Sequence, residues 1–498
     1  MAFRCQNPFV GLVYTAYGPG MQQLYELNVR TWRTERSFEL GRPATLDDLP
    51  DTLLDQLVEH GFSWLYLIGV WPTGPLAREV SLRDQHLRTY LSGVLPNFCD
   101  DDVCGSPFMP ESYTVDGLLG GDAALARLRE RARGAGISLM LDFIPNHVGI
   151  DHTWLRDHPD YCIPGDEERL AAQPDAWCRL HGRVFAHGRD PFFAPWKNSV
   201  QLDYSNPRLQ EAMTQVASSI AARCDGLRCD LAMLLLKDVF ENTWKRPMQP
   251  FWRKCLDRVR AEHPGTLFMA EVYWNREYEL QQAGFDFTFD KILYDRLLSG
   301  DAESIRAHLR ATRDYQKHCV RFLENHAEQR AAARFTSPDH HRGALLISGM
   351  VPGLLLCNHG QDDGRRLHAS NHANRRPPED GSTPHREAYR DLMHLLSEPA
   401  RQHGTWQLLE PLGYDSPLVG CLWTLQGHHA LALVVNASWQ HASGAVQAGP
   451  LVERDCQLQQ CFASAVPVQI KADALQHGGL PAALPPWGSI AYRVMPLR

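Results

Sequence analysis

Two carboxyl groups held close together, one ionised and one protonated, can divide the roles of nucleophile and general acid. In this 498-residue sequence, carboxylates recur at the ends of short apolar runs: DFIPNH (142–147), GLRCDLA (226–232), MAEVYW (269–274) and LENHAE (323–328). An ionisable side chain at a buried strand end is costly unless it is paired or used. Asp142, Asp230 and Glu271 are among the carboxylates in these runs; two such groups about 5 to 5.5 Å apart would suit cleavage of a glycosidic bond with retention, one attacking the anomeric carbon and one protonating the departing oxygen.

The elements that would position them follow a regular rhythm. Short β-branched or aromatic runs alternate with longer amphipathic stretches, the pattern of repeated βα units around a parallel sheet. Candidate strands cover 24–32, 62–70, 138–144, 226–232, 267–274, 286–291, 320–325 and 353–358. Eight of them fit a closed (β/α)8 barrel, with the chemistry at the C-terminal ends of its strands. A helix is predicted over 122–136, where Asp122 stands at the capping position and Gly136 at the stop. The stretch 149–206 is too long for an ordinary connection and reads as an inserted domain B after the third strand. From 399 onward, runs such as GCLWTLQ and ALALVVNAS predict a C-terminal antiparallel β-sandwich without helices. The catalytic barrel is then 1–148 with 207–398. The polar run 359–386 reads either as a solvated loop or as a substrate-contacting rim.

The four carboxylate-bearing segments resemble, in order and context, the four short conserved regions of glycoside hydrolase family 13, the α-amylase family. Residues 142–147 resemble the first region, Gly226 to Asp230 the second, Glu271 the third, and 322–326 the fourth. The resemblance implies that Asp230 is the nucleophile and Glu271 the general acid/base of a retaining hydrolase or transglycosidase acting on α-linked glucose. Arg228, two residues earlier on the same face, is expected to keep the pKa of Asp230 low. Glu271 has to start protonated, and a negative neighbour in a partly dry cleft is expected to raise its pKa. His147 and His326 are expected to donate hydrogen bonds to sugar hydroxyls. Asp142 is expected to orient the site from beneath, and Tyr113 resembles the aromatic that stacks on the sugar. Taken singly, Asp142 and His147 read equally well as satisfied polar residues at strand ends. Trp71, Phe192, Phe193 and Trp196 fall in predicted loops, where their rings could stack on sugars or simply pack. Many members of the family hold a structural calcium ion, which implies Asn146 as a candidate ligand; no cofactor is implied as required.

The sequence departs from the family at one position. Where the fourth region continues into a third carboxylate, this chain has Ala327. Each charge-assisted hydrogen bond lost there is worth about 1.5 to 3 kcal/mol, one to two powers of ten in rate. The chain is therefore expected to be slow or inactive, either as a disabled enzyme or as a silent glucan-binding protein. The intact Asp230, Glu271 and Arg228 favour the first.

Composition narrows the partners. A net charge of -8 with interspersed signs supplies no basic stripe for nucleic acid. No run approaches a membrane-spanning length, and the N-terminus lacks a secretory pattern, so a cytoplasmic protein is expected. Thirteen scattered cysteines favour free thiols over a disulfide framework. Cys99 with Cys104, and His368 with His372, lack the further ligands a metal site needs. Oligomeric state is not readable.

Overall fold

A computed structural model describes residues 23–425, 429–449, 451, 455–462 and 466–497. Eight parallel strands close into a barrel: β1 (Gln23–Asn28), β2 (Trp64–Ile68), β3 (Ser138–Phe143), β4 (Gly226–Cys229), β5 (Leu267–Ala270), β6 (Phe287–Phe289), β7 (Cys319–Arg321) and β8 (Leu354–Asn358). Each strand pairs with the next, and β8 pairs with β1. The strands are almost wholly buried, as expected of a parallel sheet covered by helices. Register sets up the site. Asp142 on β3 is opposite Arg228 on β4, and Cys229 is opposite Ala270 on β5, so Asp230 and Glu271 each stand one residue beyond a paired position.

Every predicted strand run overlaps one barrel strand, but several stop early. The first run was expected to reach Trp32; it ends at Asn28, whose side chain accepts from the backbone N–H groups of Arg30 and Thr31 and so caps a helix over Val29–Leu40. The helix before β3 spans Gly121–Ala135. It buries Ala124, Leu128 and Ala132 at four-residue spacing and ends on Gly136, whose left-handed φ of 89° lets its N–H bond back to Ala132 and Arg133.

The segment between β3 and the helix Pro207–Ala221 carries two strand pairs, His147–Gly149 with Ser199–Gln201 and Trp177–Leu180 with Arg183–Ala186. The polar run that starts at His359 is irregular until the helix Thr383–Leu396 begins within it.

The C-terminal region is a six-stranded antiparallel sheet packed against a two-stranded one. In chain order its strands are β9 (Thr405–Leu409), β10 (Leu418–Thr424), β11 (Ala430–Asn436), β12 (Ala442–Val446), β13 (Cys456–Gln460), β14 (Val468–Ile470), β15 (Leu480–Leu484) and β16 (Ser489–Pro496). The larger sheet runs β9-β10-β11-β16-β13-β14 and the smaller pairs β12 with β15. Leu422, Val434, Val446 and Leu480 fill the core between them. One expectation fails here: a helix, Pro399–His403, precedes the strands and another, Ala472–Gly478, interrupts them. Only Leu475 is buried in the second, so it leaves no apolar periodicity in the sequence. Among the described residues, no helix is long and apolar enough to cross a membrane, and each described cysteine is a free thiol.

Candidate active site

A cleft of about 810 Å³ opens at the C-terminal ends of the strands, and Arg228, Asp230, Glu271, His147, His326 and Ala327 all line it. Arg228 is its hub. Fully buried, it donates through Nη1 to Asp230 Oδ1 at 2.7 Å and through Nη2 to Glu271 Oε2 at 2.6 Å, with Asp142 Oδ1 at 3.3 Å from Nη1. One guanidinium thus holds the two candidate catalytic carboxyls side by side. Beneath it, Asp142 also accepts from the hydroxyl of Tyr66 at 2.6 Å. The ring of Phe108 lies 5.0 Å from the guanidinium carbon and 5.0 Å from the imidazole of His326.

Glu271 collects further donors. The N–H of Leu231 reaches Oε2 at 2.9 Å, and the hydroxyl of Tyr273 reaches Oε1 at 2.8 Å. Leu231 presents its N–H from a left-handed backbone, φ 42°, a conformation uncommon for a residue with a branched side chain.

Two expectations for the histidines change. His147 Nε2 lies 3.0 Å from the carbonyl of Phe108, so its N–H is directed to the backbone rather than to a sugar. Burial pushes its pKa down to about 4. His326 Nε2 lies 3.4 Å from Arg228 Nη2, an obligate donor, so this nitrogen accepts rather than donates.

The aromatics also sort themselves. Trp71, read as either stacking on sugar or packing, is buried, and its Nε1 donates to the carbonyl of Asp142. Tyr113 packs edge-on against Trp71 at 5.6 Å and anchors its hydroxyl on the carbonyl of Ile144, half-buried behind the cleft wall. Trp196 does line the cleft, packed on His147, and Phe192 and Phe193 are exposed. Sequence reasoning missed Phe108, Tyr66 and Tyr273. It also missed the Ser81–Asp84 wall, which comes from the helical connection after β2.

The model of the alpha amylase catalytic domain matches residues 109–407, well over half of the chain. The chain belongs to the alpha-amylase family. It is 27% identical over 261 residues to the alpha-1,4-glucan:maltose-1-phosphate maltosyltransferase of Burkholderia pseudomallei, an alignment covering 51% of this chain and 20% of that protein. It is 25% identical over 237 residues to Maltase 1 of Drosophila virilis, covering 37% of this chain and 36% of that one. The chain therefore spans a third or so, or less, of the length of these relatives. The fold matches that of a maltogenic alpha-amylase, AmyB, from Thermotoga neapolitana, with a TM-score of 0.67 at 18% identity over 96% of this chain and 99% of that one.

Membership in the alpha-amylase family raises calcium at Asn146, and the residues around it do not fit that ion. The Oδ1 and the backbone carbonyl of Asn146 both accept from Gln201 Nε2, at 3.0 and 2.9 Å. Calcium takes six to eight oxygen ligands, carboxylates prominent among them. Among the described residues, no three His, Cys, Asp or Glu side chains converge to hold a metal.

Electrostatics in this amylase-type cleft run opposite to the sequence expectation. Burial pushes the Asp230 carboxyl up to about 8, outweighing Arg228 beside it, and the charges of Glu271 and Asp142 push the same way. Burial also acts to raise Glu271. Arg228, with the hydrogen bonds from Leu231 and Tyr273, overcomes it and holds Glu271 below its ordinary value. The surroundings thus favour the protonated form of Asp230 and the ionised form of Glu271.

Linkage gives a test. The unfolded chain releases the Asp230 proton near pH 4 and the folded chain retains it to about pH 8, so this group's contribution to stability falls as pH rises through that window. Asp230→Asn removes the titration. Denaturant melts at pH 5 and pH 8 are expected to show the variant gaining on the parent, by about 1 to 2 kcal/mol at pH 8. A variant less stable than the parent at pH 8 would contradict the assignment.

Proposed function

We propose that this chain is a retaining α-glucan or α-glucoside hydrolase or transglycosidase of the alpha-amylase type, slowed by Ala327. The observation that carries the reading is the placement of Asp230 and Glu271 on the two terminal nitrogens of one buried guanidinium, at the lip of a cleft a sugar would fill. In the first step the Asp230 carboxylate bonds to the anomeric carbon as the glycosidic C–O bond breaks, and the leaving oxygen takes the proton of Glu271. In the second, water or a sugar hydroxyl gives its proton to Glu271 and displaces Asp230 from that carbon. Water makes the chain a hydrolase and a sugar makes it a transferase.

For the first step the proton has to sit on Glu271 with Asp230 ionised, the reverse of the arrangement described above. That reversal, together with the methyl group of Ala327, favours a second reading in which the cleft binds α-linked glucose without turning it over. An α-glucosyl fluoride separates the two, because fluoride departs without a proton from Glu271. The first reading expects fluoride release together with retardation of the chain in an amylopectin gel. Retardation without fluoride release supports the silent binder. Neither effect would refute both readings.

A further inference from the structure

The carboxylate most intimately joined to the site was not among the sequence candidates. Glu26, on β1, is completely buried, and its Oε1 accepts from the backbone N–H of His326 at 3.0 Å and from His326 Nδ1 at 2.5 Å. The two residues are 300 positions apart in the chain and adjacent across the barrel mouth.

The imidazole between them is held on every side. Its Nδ1 faces the Glu26 carboxylate, which only accepts. Its Nε2 faces Arg228 Nη2, which only donates. Phe108 covers one face, and Asn371 Nδ2 donates to the backbone carbonyl of His326 at 3.1 Å. An obligate acceptor on one nitrogen and an obligate donor on the other leave one tautomer that satisfies both, with the hydrogen on Nδ1 and the lone pair on Nε2.

We propose that Glu26 is a positioning residue that fixes the Nδ1–H tautomer of His326, so that the Nε2 lone pair accepts from Arg228 Nη2 and steadies the guanidinium that holds Asp230 and Glu271. The expected effect on turnover rests on the reading of the cleft as a glucoside site, whereas the tautomer itself does not.

The test labels the histidines of the full chain with nitrogen-15 and reads the tautomer of His326 by long-range proton–nitrogen correlation, with His326→Asn assigning the signals. The parent is expected to show a protonated Nδ1 and a bare Nε2. Glu26→Gln keeps an acceptor oxygen and is expected to keep that pattern. Glu26→Met removes the acceptor and is expected to lose the fixed tautomer. Turnover of α-glucosyl fluoride is expected to fall about 10- to 100-fold in Glu26→Met, the range for one charge-assisted hydrogen bond, and less than about 5-fold in Glu26→Gln.

A parent with hydrogen on Nε2, or a Glu26→Met protein with the parent's tautomer and rate, overturns the proposal. If Glu26→Met does not fold, the parent's tautomer and the behaviour of Glu26→Gln still decide it. A parent that neither binds glucan nor releases fluoride refutes the functional reading, and the nitrogen spectra then judge the tautomer alone.

Discussion

Ala327→Asp is expected to raise kcat/KM on maltoheptaose by about 10²- to 10⁴-fold. The range corresponds to two new charge-assisted hydrogen bonds to sugar hydroxyls, each worth one to two powers of ten. The backbone is ready for the substitution. The N–H groups of Ala327 and Glu328 both bond to Asn325 Oδ1, at 2.9 and 3.0 Å, so the turn is fixed without help from the side chain at 327. Position 327 lines the cleft with Arg228, Asp230 and Glu271, so an introduced carboxylate would meet the same sugar. Release of reducing ends or of transfer products, followed over time, is the measurement. A variant no faster than the parent would show that the missing carboxylate is not what limits the chain.

Arg228→Met is expected to destabilise the fold by about 3 to 5 kcal/mol at pH 7 to 8, the cost of leaving buried charge without its partner. Arg228 is the only cation hydrogen-bonded to Asp230 or Glu271 among the described residues, and it also serves Asp142. Methionine of similar length would preserve the packing over Phe108, so the loss would report on charge rather than on a cavity. The deficit should depend on pH. A carboxylate held below its ordinary pKa, as Glu271 is, contributes stability that is present above the unfolded value near 4.3 and lost as pH falls through the folded value. The gap between parent and variant should therefore hold from pH 8 down to the unfolded value near 4.3 and narrow below it. Urea midpoints at several pH values check this, and equal stability at pH 8 would remove Arg228 from the centre of the account.

The barrel was legible because its strands are buried on both faces and spelled almost entirely in β-branched, aromatic and leucine residues, as in Trp64–Ile68. Strand ends were less so. Asn28 reads as one more residue in an alternating run until its side chain is seen capping the following helix. The site divides the same way. Asp142, Arg228, Asp230 and Glu271 lie on three adjacent strands or one residue beyond their ends, and strand register brings them together. Glu26 and Phe108 reach the site from distant parts of the chain, and nothing in their local sequence distinguishes them from a strand residue and a loop residue. The protonation order was misjudged for a related reason. Arg228 was assigned to Asp230 alone, whereas the folded guanidinium is shared with Glu271, and Glu271 receives two further donors that only the fold supplies.

The account stands on Asp230 as the group that bonds to the sugar. Incubation with a fluorinated α-glucosyl fluoride, whose ring fluorine slows both chemical steps while the fluoride still departs, should trap that bond in the parent chain and in Ala327→Asp. Mass spectrometry of the digested protein is expected to find one fluoroglucosyl group on the peptide carrying Asp230, and none in Asp230→Asn. A label on Glu271 or elsewhere, or an Ala327→Asp protein that turns over maltoheptaose with inverted product and no label, would contradict it.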